Sequence, residues 1–150
     1  MISLGCDHGG YELKEIIKKH LEEKNIEYKD FGTYSEESVD YPEYALKVAE
    51  SIRNGESELG ILCCGTGIGV SIAANKVPGI RAAVVGDVFS ARACKEHNNA
   101  NIICLGGRVI GPGLALMIVD EWLNAEFSGG RHQRRIDKIT EIEKKYSELE

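Results

Sequence analysis

Apolar runs of strand length recur along this chain, and between each pair lies a segment long and amphipathic enough for a helix. The runs are Ile2–Cys6, Ile26–Phe31, Leu59–Cys63, Arg81–Val85 and Ile102–Leu105. This alternation constrains the fold strongly, because antiparallel neighbours need only a tight turn whereas parallel neighbours need a crossover, usually helical. Three of the five runs are almost wholly apolar, as strands covered on both faces are. The pattern predicts an α/β domain with a five-stranded, mostly parallel sheet flanked by helices.

Apolar spacing locates the helices. Leu13, Ile16, Ile17 and Leu21 draw one stripe along residues 11–24. Pro42 opens a second helix carrying Tyr44, Ala45, Val48, Ala49 and Ile52, and Asn54-Gly55 stops it. Further helices are predicted over 68–76, 87–96 and 114–124. After Gly129-Gly130 comes an amphipathic tail with Ile136, Ile139, Ile142, Tyr146 and Leu149 on its stripe. That tail packs either on its own sheet or across a neighbouring subunit, and periodicity does not separate the two. The sequence contains no internal repeat or long linker, so residues 1–150 read as one domain.

Composition narrows the partners. Eighteen Lys and Arg against 24 Asp and Glu give a net charge of −6, which argues against nucleic acid, whose binding draws on a basic surface. Any anion held here is small and held locally. No stretch approaches the ~20 apolar residues that cross a bilayer, and the N-terminal apolar run lacks a basic flank and a cleavage site, so the expectation is a cytoplasmic protein without a membrane partner. The five cysteines, an odd number, read as reduced thiols rather than a disulfide framework. No pair has the C-x-x-C spacing of zinc or redox motifs, and no metal site is expected.

In an open parallel sheet ligands bind outside the carboxyl ends of the strands, so the residues after each strand are the informative ones. They are Asp7-His8-Gly9-Gly10 after the first, Cys64-Gly65-Thr66-Gly67-Ile68-Gly69 after the third, Gly86-Asp87 after the fourth and Gly106-Gly107-Arg108 after the fifth. His97-Asn98 stands shortly before the fifth. The 65–69 turn opens a helix, where bare amides and the positive end of the dipole suit an anion. Its glycines fit neither the dinucleotide fingerprint nor a Walker loop, so it is an anion site of another kind or only a tight turn.

Cys64 immediately precedes those amides, a position that favours a thiolate acting as nucleophile or base; the alternative is a buried structural cysteine. Cys63 points to the other side of the strand and reads as structural. Asp7 and His8 suit a sugar hydroxyl or phosphate, unless Asp7 only caps the next helix. His97 is a proton-transfer candidate or a histidine that merely suits a helix C-terminus, while His20 belongs to a solvated face. Asn98, Asn99 and Asn101 double as turn formers. Arg131 and Arg135, four apart on one helical face, offer two guanidinium groups to one phosphate, or form a solvated run with Arg135 paired to Glu143. His132 and Arg134 fall off that face.

Together the blocks Asp-His-Gly-Gly (7–10), Cys-Gly-Thr-Gly-Ile-Gly-Val-Ser-Ile-Ala-Ala-Asn-Lys (64–76), Glu-His-Asn-Asn-Ala-Asn (96–101), Gly-Gly-Arg (106–108) and Gly-Gly-Arg-His-Gln-Arg-Arg (129–135) resemble the type B ribose-5-phosphate isomerases. The likeness spans nearly the whole chain, and galactose-6-phosphate and allose-6-phosphate isomerases belong to the same superfamily. The resemblance implies a Rossmann-like three-layer sandwich, and a homodimer or homotetramer whose sites are completed by a neighbouring subunit, with the C-terminal helix extending to that partner. It implies no metal or organic cofactor. Cys64 is then the catalytic base and His97 the proton donor for ring opening. Asp7 and His8 meet the sugar and phosphate end, Asn98 a hydroxyl, and Arg108, Arg131 and Arg135 the phosphate. Some members carry serine for the cysteine and a glutamate near the position of Ser71. This chain has no acid between Gly65 and Asn75 and falls in the cysteine subgroup.

Aldose–ketose isomerisation of ribose 5-phosphate, a step of the pentose phosphate pathway, needs an open-chain sugar, a base and a cradle for the enediolate. On this reading Cys64 takes the C2 proton, the 65–69 turn, Ile68 included, binds substrate through its backbone, and the amides of Gly65, Gly67 and Gly69 hold the oxyanion. Thr66 relays a proton between the two oxygens. A six-carbon sugar phosphate is the alternative substrate. Two other classes compete: a non-catalytic module binding a sugar phosphate or nucleotide, which has no need of Cys64 and His97, and a thiol enzyme with a covalent cysteine intermediate.

Overall fold

The computed structural model describes residues 1–147. Among them are five strands, β1 (Ile2–Cys6), β2 (Tyr28–Asp30), β3 (Leu59–Cys64), β4 (Ala82–Val84) and β5 (Ile102–Gly106), and six α-helices. The helices are α1 (Tyr11–Glu23), α2 (Tyr41–Arg53), α3 (Ile68–Ala74), α4 (Val88–Glu96), α5 (Pro112–Asn124) and α6 (Arg131–Ser147). The strands form one sheet in the order β2-β1-β3-β5-β4, and every neighbouring pair is parallel, so the expected "mostly parallel" sheet is parallel throughout.

The direction of each step along the sheet decides which face its helix covers, because parallel crossovers are right-handed. The steps β1 to β2 and β4 to β5 run one way and put α1 and α4 on one face, where α5 joins them. The steps β2 to β3 and β3 to β4 run the other way and put α2 and α3 on the opposite face. Strand periodicity then sorts the side chains: Cys6, Ile61, Cys63 and Leu105 pack toward α1, α4 and α5, and Leu62, Cys64, Ile102 and Cys104 toward α2 and α3. Each fully buried Leu or Ile in these layers contributes about 1.5–3 kcal/mol. Trp122 of α5 is fully buried and its indole N–H donates to the Ala100 carbonyl at 3.2 Å.

Element ends differ from expectation where a local bond competes. Strand β2 begins at Tyr28 rather than Ile26, because Asn25 sits at φ +56° and the Ile26 N–H turns back to the Leu21 carbonyl at 2.9 Å. Helix α5 starts at Pro112, a residue whose missing N–H costs nothing in the first turn.

The link from β2 to α2 is anchored by Lys14, which is 1% exposed. Its ammonium donates to both Asp30 carboxylate oxygens (2.8 and 2.9 Å) and to the Thr33 carbonyl (2.6 Å). Helix α6 is tied to its own chain by buried Ile136 and by Glu143, whose carboxylate accepts the Gly79 N–H. Beyond Ile136 its apolar stripe stays open, with Ile139, Ile142 and Tyr146 at 50%, 60% and 62% exposed. Leu149 lies outside the described residues.

Candidate active site

Strand order reverses at the β1/β3 pair, and that is where an open α/β sheet forms its crevice. Three turns meet there. The Asp7 N–H donates to the Cys63 carbonyl (3.2 Å), the Gly107 N–H to the Cys64 carbonyl (2.8 Å) and the Arg108 N–H to the Gly65 carbonyl (3.0 Å). The approach is close enough that a Cβ at Gly10 would lie inside the Cys63 carbonyl. Gly67 takes φ +82°, a left-handed conformation that leaves its N–H pointing at the Cys64 sulfur, 3.0 Å away.

Cys64 is buried on the α2–α3 side, and its sulfur accepts the Gly67 N–H. This bears on one expectation: the Gly67 amide, expected to hold an oxyanion together with those of Gly65 and Gly69, is engaged by the Cys64 sulfur. The Ile68 N–H is likewise taken, by the Thr66 hydroxyl at 3.2 Å, while the Thr66 side chain itself is exposed. Cys63 faces the other layer, fully buried, and burial followed by the neighbouring thiols pushes its own thiol well above the ordinary range. It faces away from Cys64, as strand alternation predicts.

Asp7 caps, and keeps one carboxylate oxygen unbonded among the described residues. One carboxylate oxygen accepts the Gly10 N–H at 3.1 Å and caps the short 3-10 turn His8–Gly10; the other takes no hydrogen bond from the described residues. His8 Nδ1 accepts the Val39 N–H at 3.2 Å, so the neutral ring carries its proton on Nε2 and offers a donor. The exposed Arg108 guanidinium lies alongside Gly65. Gly86-Asp87, by contrast, is spent on structure: the Asp87 carboxylate accepts the Ser90 N–H (2.7 Å) and hydroxyl (2.8 Å) and caps α4. Sequence reasoning missed Tyr41, whose ring packs so tightly on Gly69 that a Cβ there would sit 2.7 Å from it. The signal was available, since α2 also begins at the carboxyl edge of the sheet.

The other candidates lie elsewhere. Helix α4 starts at the carboxyl end of β4 and runs back for nine residues, about 13 Å, so His97 and Asn98 arrive at the amino edge. There the Gly60 N–H at the start of β3 donates to the Asn101 carbonyl (2.8 Å). Arg81 braces the turn from below: its Nε donates to the Asn98 and Asn99 carbonyls (3.0 and 3.1 Å) and its Nη2 to Asn99 (3.0 Å). His97 stacks on His132, ring centroids 4.4 Å apart and planes 13° apart, which brings the first turn of α6 with Arg131 and Arg135 to the same edge.

His132, which falls off the face of Arg131 and Arg135, thus packs against His97. Arg135 is not paired to Glu143, which is occupied at Gly79. Among the described residues, no carboxylate lies within salt-bridge distance of Arg108, Arg131 or Arg135. Beside Asn98, between α6 and β4, opens a cleft of about 620 Å³ lined by Arg81, Ile139, Ile142, Glu143 and Tyr146. Among the described residues no helix is long and apolar enough to cross a membrane, and no group of three His, Cys, Asp or Glu side chains is arranged for a metal.

The candidates thus fall into two separate groups within one chain. Asp7, His8, Cys64, Gly65, Thr66, Gly67, Ile68, Gly69 and Arg108 gather at the carboxyl edge, and His97, Asn98, Arg131 and Arg135 at the amino edge.

The chain matches the family model described as Ribose/Galactose Isomerase over residues 2–139. It is 51% identical to ribose-5-phosphate isomerase B of Escherichia coli (strain K12) over 144 residues, covering 96% of this chain and 97% of that protein. It is 54% identical over 145 residues to a putative sugar phosphate isomerase of Bacillus subtilis (strain 168), covering 96% and 97%. Among solved structures, ribose-5-phosphate isomerase B of Clostridium thermocellum superposes with a TM-score of 0.96 at 60% identity, covering 97% of this chain and 98% of that one. Ribose-5-phosphate isomerase B of Mycoplasma genitalium, with bound ribulose-5-phosphate, gives 0.90 at 46% identity, covering 95% of each chain.

Proposed function

The chain belongs to the ribose/galactose isomerase family, and we propose that it interconverts ribose 5-phosphate and ribulose 5-phosphate through a cis-enediolate. The observation that carries this reading is Cys64, a buried sulfur receiving the Gly67 N–H at the crevice of the sheet, beside Asp7 and His8. A non-catalytic binding module has no use for a base in that position.

His97 donates a proton to the furanose ring oxygen O4 as the O1 hydroxyl gives up its own, which opens the ring. The Cys64 thiolate removes the proton from C2, and the electrons move onto O1. The Gly65 and Gly69 amides hold that charge, a type of interaction typically worth several kcal/mol. Thr66 passes a proton from O2 to O1, and Cys64 returns its proton to C1. Arg108, Arg131 and Arg135 hold the phosphate, so that binding energy from a non-reacting group positions the reacting carbons. The chemistry asks for no metal, since the thiolate takes the proton and amides hold the charge.

The separation of the two groups supports a shared site: Cys64 of one copy works with His97, Asn98, Arg131 and Arg135 of a second. Exposed apolar side chains on α3 and α6, Ile68 (53%) and Ile72 (58%) with Ile139, Ile142 and Tyr146, support the same homodimer, alone or within a tetramer, with α6 reaching across. One domain over residues 1–150 carries the activity. Five free thiols, Cys6, Cys63, Cys64, Cys94 and Cys104, favour a reducing compartment, the cytoplasm.

The test is conversion of ribose 5-phosphate in deuterated water with chelator present. Turnover with deuterium entering the exchanging carbon, lost in Cys64→Ala and kept in Cys63→Ala, is the expected result. Activity on only a six-carbon sugar phosphate would change the substrate and keep the mechanism. Silence on all of them would leave a binding module.

A further inference from the structure

We propose that His132 is a positioning residue for His97: its imidazole lies flat against the His97 ring and sets the direction in which that ring presents its N–H to the sugar. The inference rests on the isomerase reading and on the ring-opening role of His97 within it.

His97 stands at the exposed C-terminal end of α4, where two side-chain torsions are free to turn. Among the described residues neither of its ring nitrogens makes a hydrogen bond, and the contact recorded for its ring is the stack on His132, at 4.4 Å and 13°. A stack restrains a ring differently from a hydrogen bond, since it fixes the face and leaves both nitrogens free. That is what a group that must give up and recover a proton requires.

The backbone is built to bring the two rings together. The Ser128 N–H donates to the Glu96 carbonyl at 3.0 Å, pinning the approach of α6 to the end of α4. Gly129 and Gly130 then take φ +66° and +57°, reversing the chain so that residue 132 faces the His97 turn. Because His132 follows Arg131 directly and precedes Arg135 by less than one turn, the stack also fixes the distance between the ring-opening imidazole and the two guanidinium groups. Desolvation, then the positive charges of His97, Arg131 and Arg135, hold His132 below the ordinary imidazole range.

Ring opening can be separated from enolisation by choice of substrate. Ribulose 5-phosphate has its C5 hydroxyl esterified and cannot close to a furanose, so exchange of its C1 proton with deuterated water needs the base and not the ring-opening acid. His132→Ala is expected to lower kcat on ribose 5-phosphate about tenfold, as misplacement of a reacting group does, with KM little changed. Exchange at C1 of ribulose 5-phosphate stays within about twofold of wild type, and His132→Phe, which keeps a flat ring, recovers most of the lost kcat. His132→Gln, of similar polarity without a ring, behaves as the alanine variant does and decides the matter where that variant is unstable. Equal loss of both reactions, a rise in KM at unchanged kcat, or no effect at all would each overturn the inference. A wild-type protein that fails to exchange ribulose 5-phosphate would overturn the isomerase reading itself.

Discussion

Mixing two inactive variants tests the divided site most directly. Cys64→Ala removes the base and leaves His97; His97→Asn removes the acid and leaves Cys64. The Gly60–Asn101 hydrogen bond ties the amino end of β3 to the turn that carries His97. Cys64 stands four residues further along β3, about 13 Å away at the usual strand rise. A base at C2 and an acid at O4 of one furanose must each come within ~3 Å of atoms joined through C3 and C4. On the proposed mechanism this separation keeps Cys64 and His97 of one chain from serving the same sugar. In a two-fold dimer each site takes Cys64 from one copy and His97 from the other, so a mixed dimer has one site lacking both groups and one lacking neither. Random re-pairing of equal amounts makes about half the dimers mixed, each with one good site of two, and recovers about a quarter of wild-type activity. The assay is conversion of ribose 5-phosphate to ribulose 5-phosphate after the variants are unfolded and refolded together. A mixture no more active than its parents would refute the shared site.

Three further outcomes concern stability. Cys63→Ala removes a fully buried sulfur from the α1 side of the sheet and is expected to lower the unfolding free energy by about 1 kcal/mol in urea, with kcat unchanged. Lys14→Met leaves the Asp30 carboxylate, 11% exposed, without its buried partner and is expected to cost about 3–5 kcal/mol; Asp30→Asn in the same chain should recover part of it, and an unshifted urea midpoint would contradict this. Burial pushes the Asp120 carboxyl up, but hydrogen bonds from His20 (2.8 Å) and Lys24 (3.0 Å) outweigh it and hold the group below its ordinary value. A lowered carboxylate adds stability above its unfolded value, near ~4, and loses it as pH falls through the folded one. Asp120→Asn should therefore destabilise at pH 7, by less than about 1 kcal/mol for so exposed a pair, and the gap to wild type should narrow as urea melts are repeated toward pH 4.

The layers were legible because two periods of the sequence report burial directly. Leu13, Ile17 and Leu21 mark the buried side of α1, and the alternation through Leu62, Cys63 and Cys64 predicts that only one of the adjacent cysteines reaches the crevice. Element ends were less legible, since they depend on bonds that no periodicity encodes, such as the Ile26 N–H turning back to Leu21. Strand order was not legible at all. It depends on which way each crossover steps, and β5 fits between β3 and β4 although it follows both in sequence.

The site divides along the same line. Looking beyond strand ends finds Asp7, His8, Cys64, the 65–69 turn and Arg108, because every parallel strand points its carboxyl end to one edge. The same geometry sends every crossover helix back to the opposite edge, so a residue at the end of α4 is excluded from that crevice within its own chain. His97 entered as one of two readings, a proton-transfer group or a helix C-terminal histidine, and Asn98 as a turn former; the resemblance gave both their roles, while Arg131 and Arg135 were marked by their four-residue spacing as well. His132 escaped both routes, since a rotation of about 100° per residue takes it off the arginine face. That rotation is also what frees it to turn toward α4 and meet His97. A parallel α/β chain that places candidates at both strand ends and helix ends has therefore placed them at two edges, and the proposed shared site is the arrangement that joins them across a second copy.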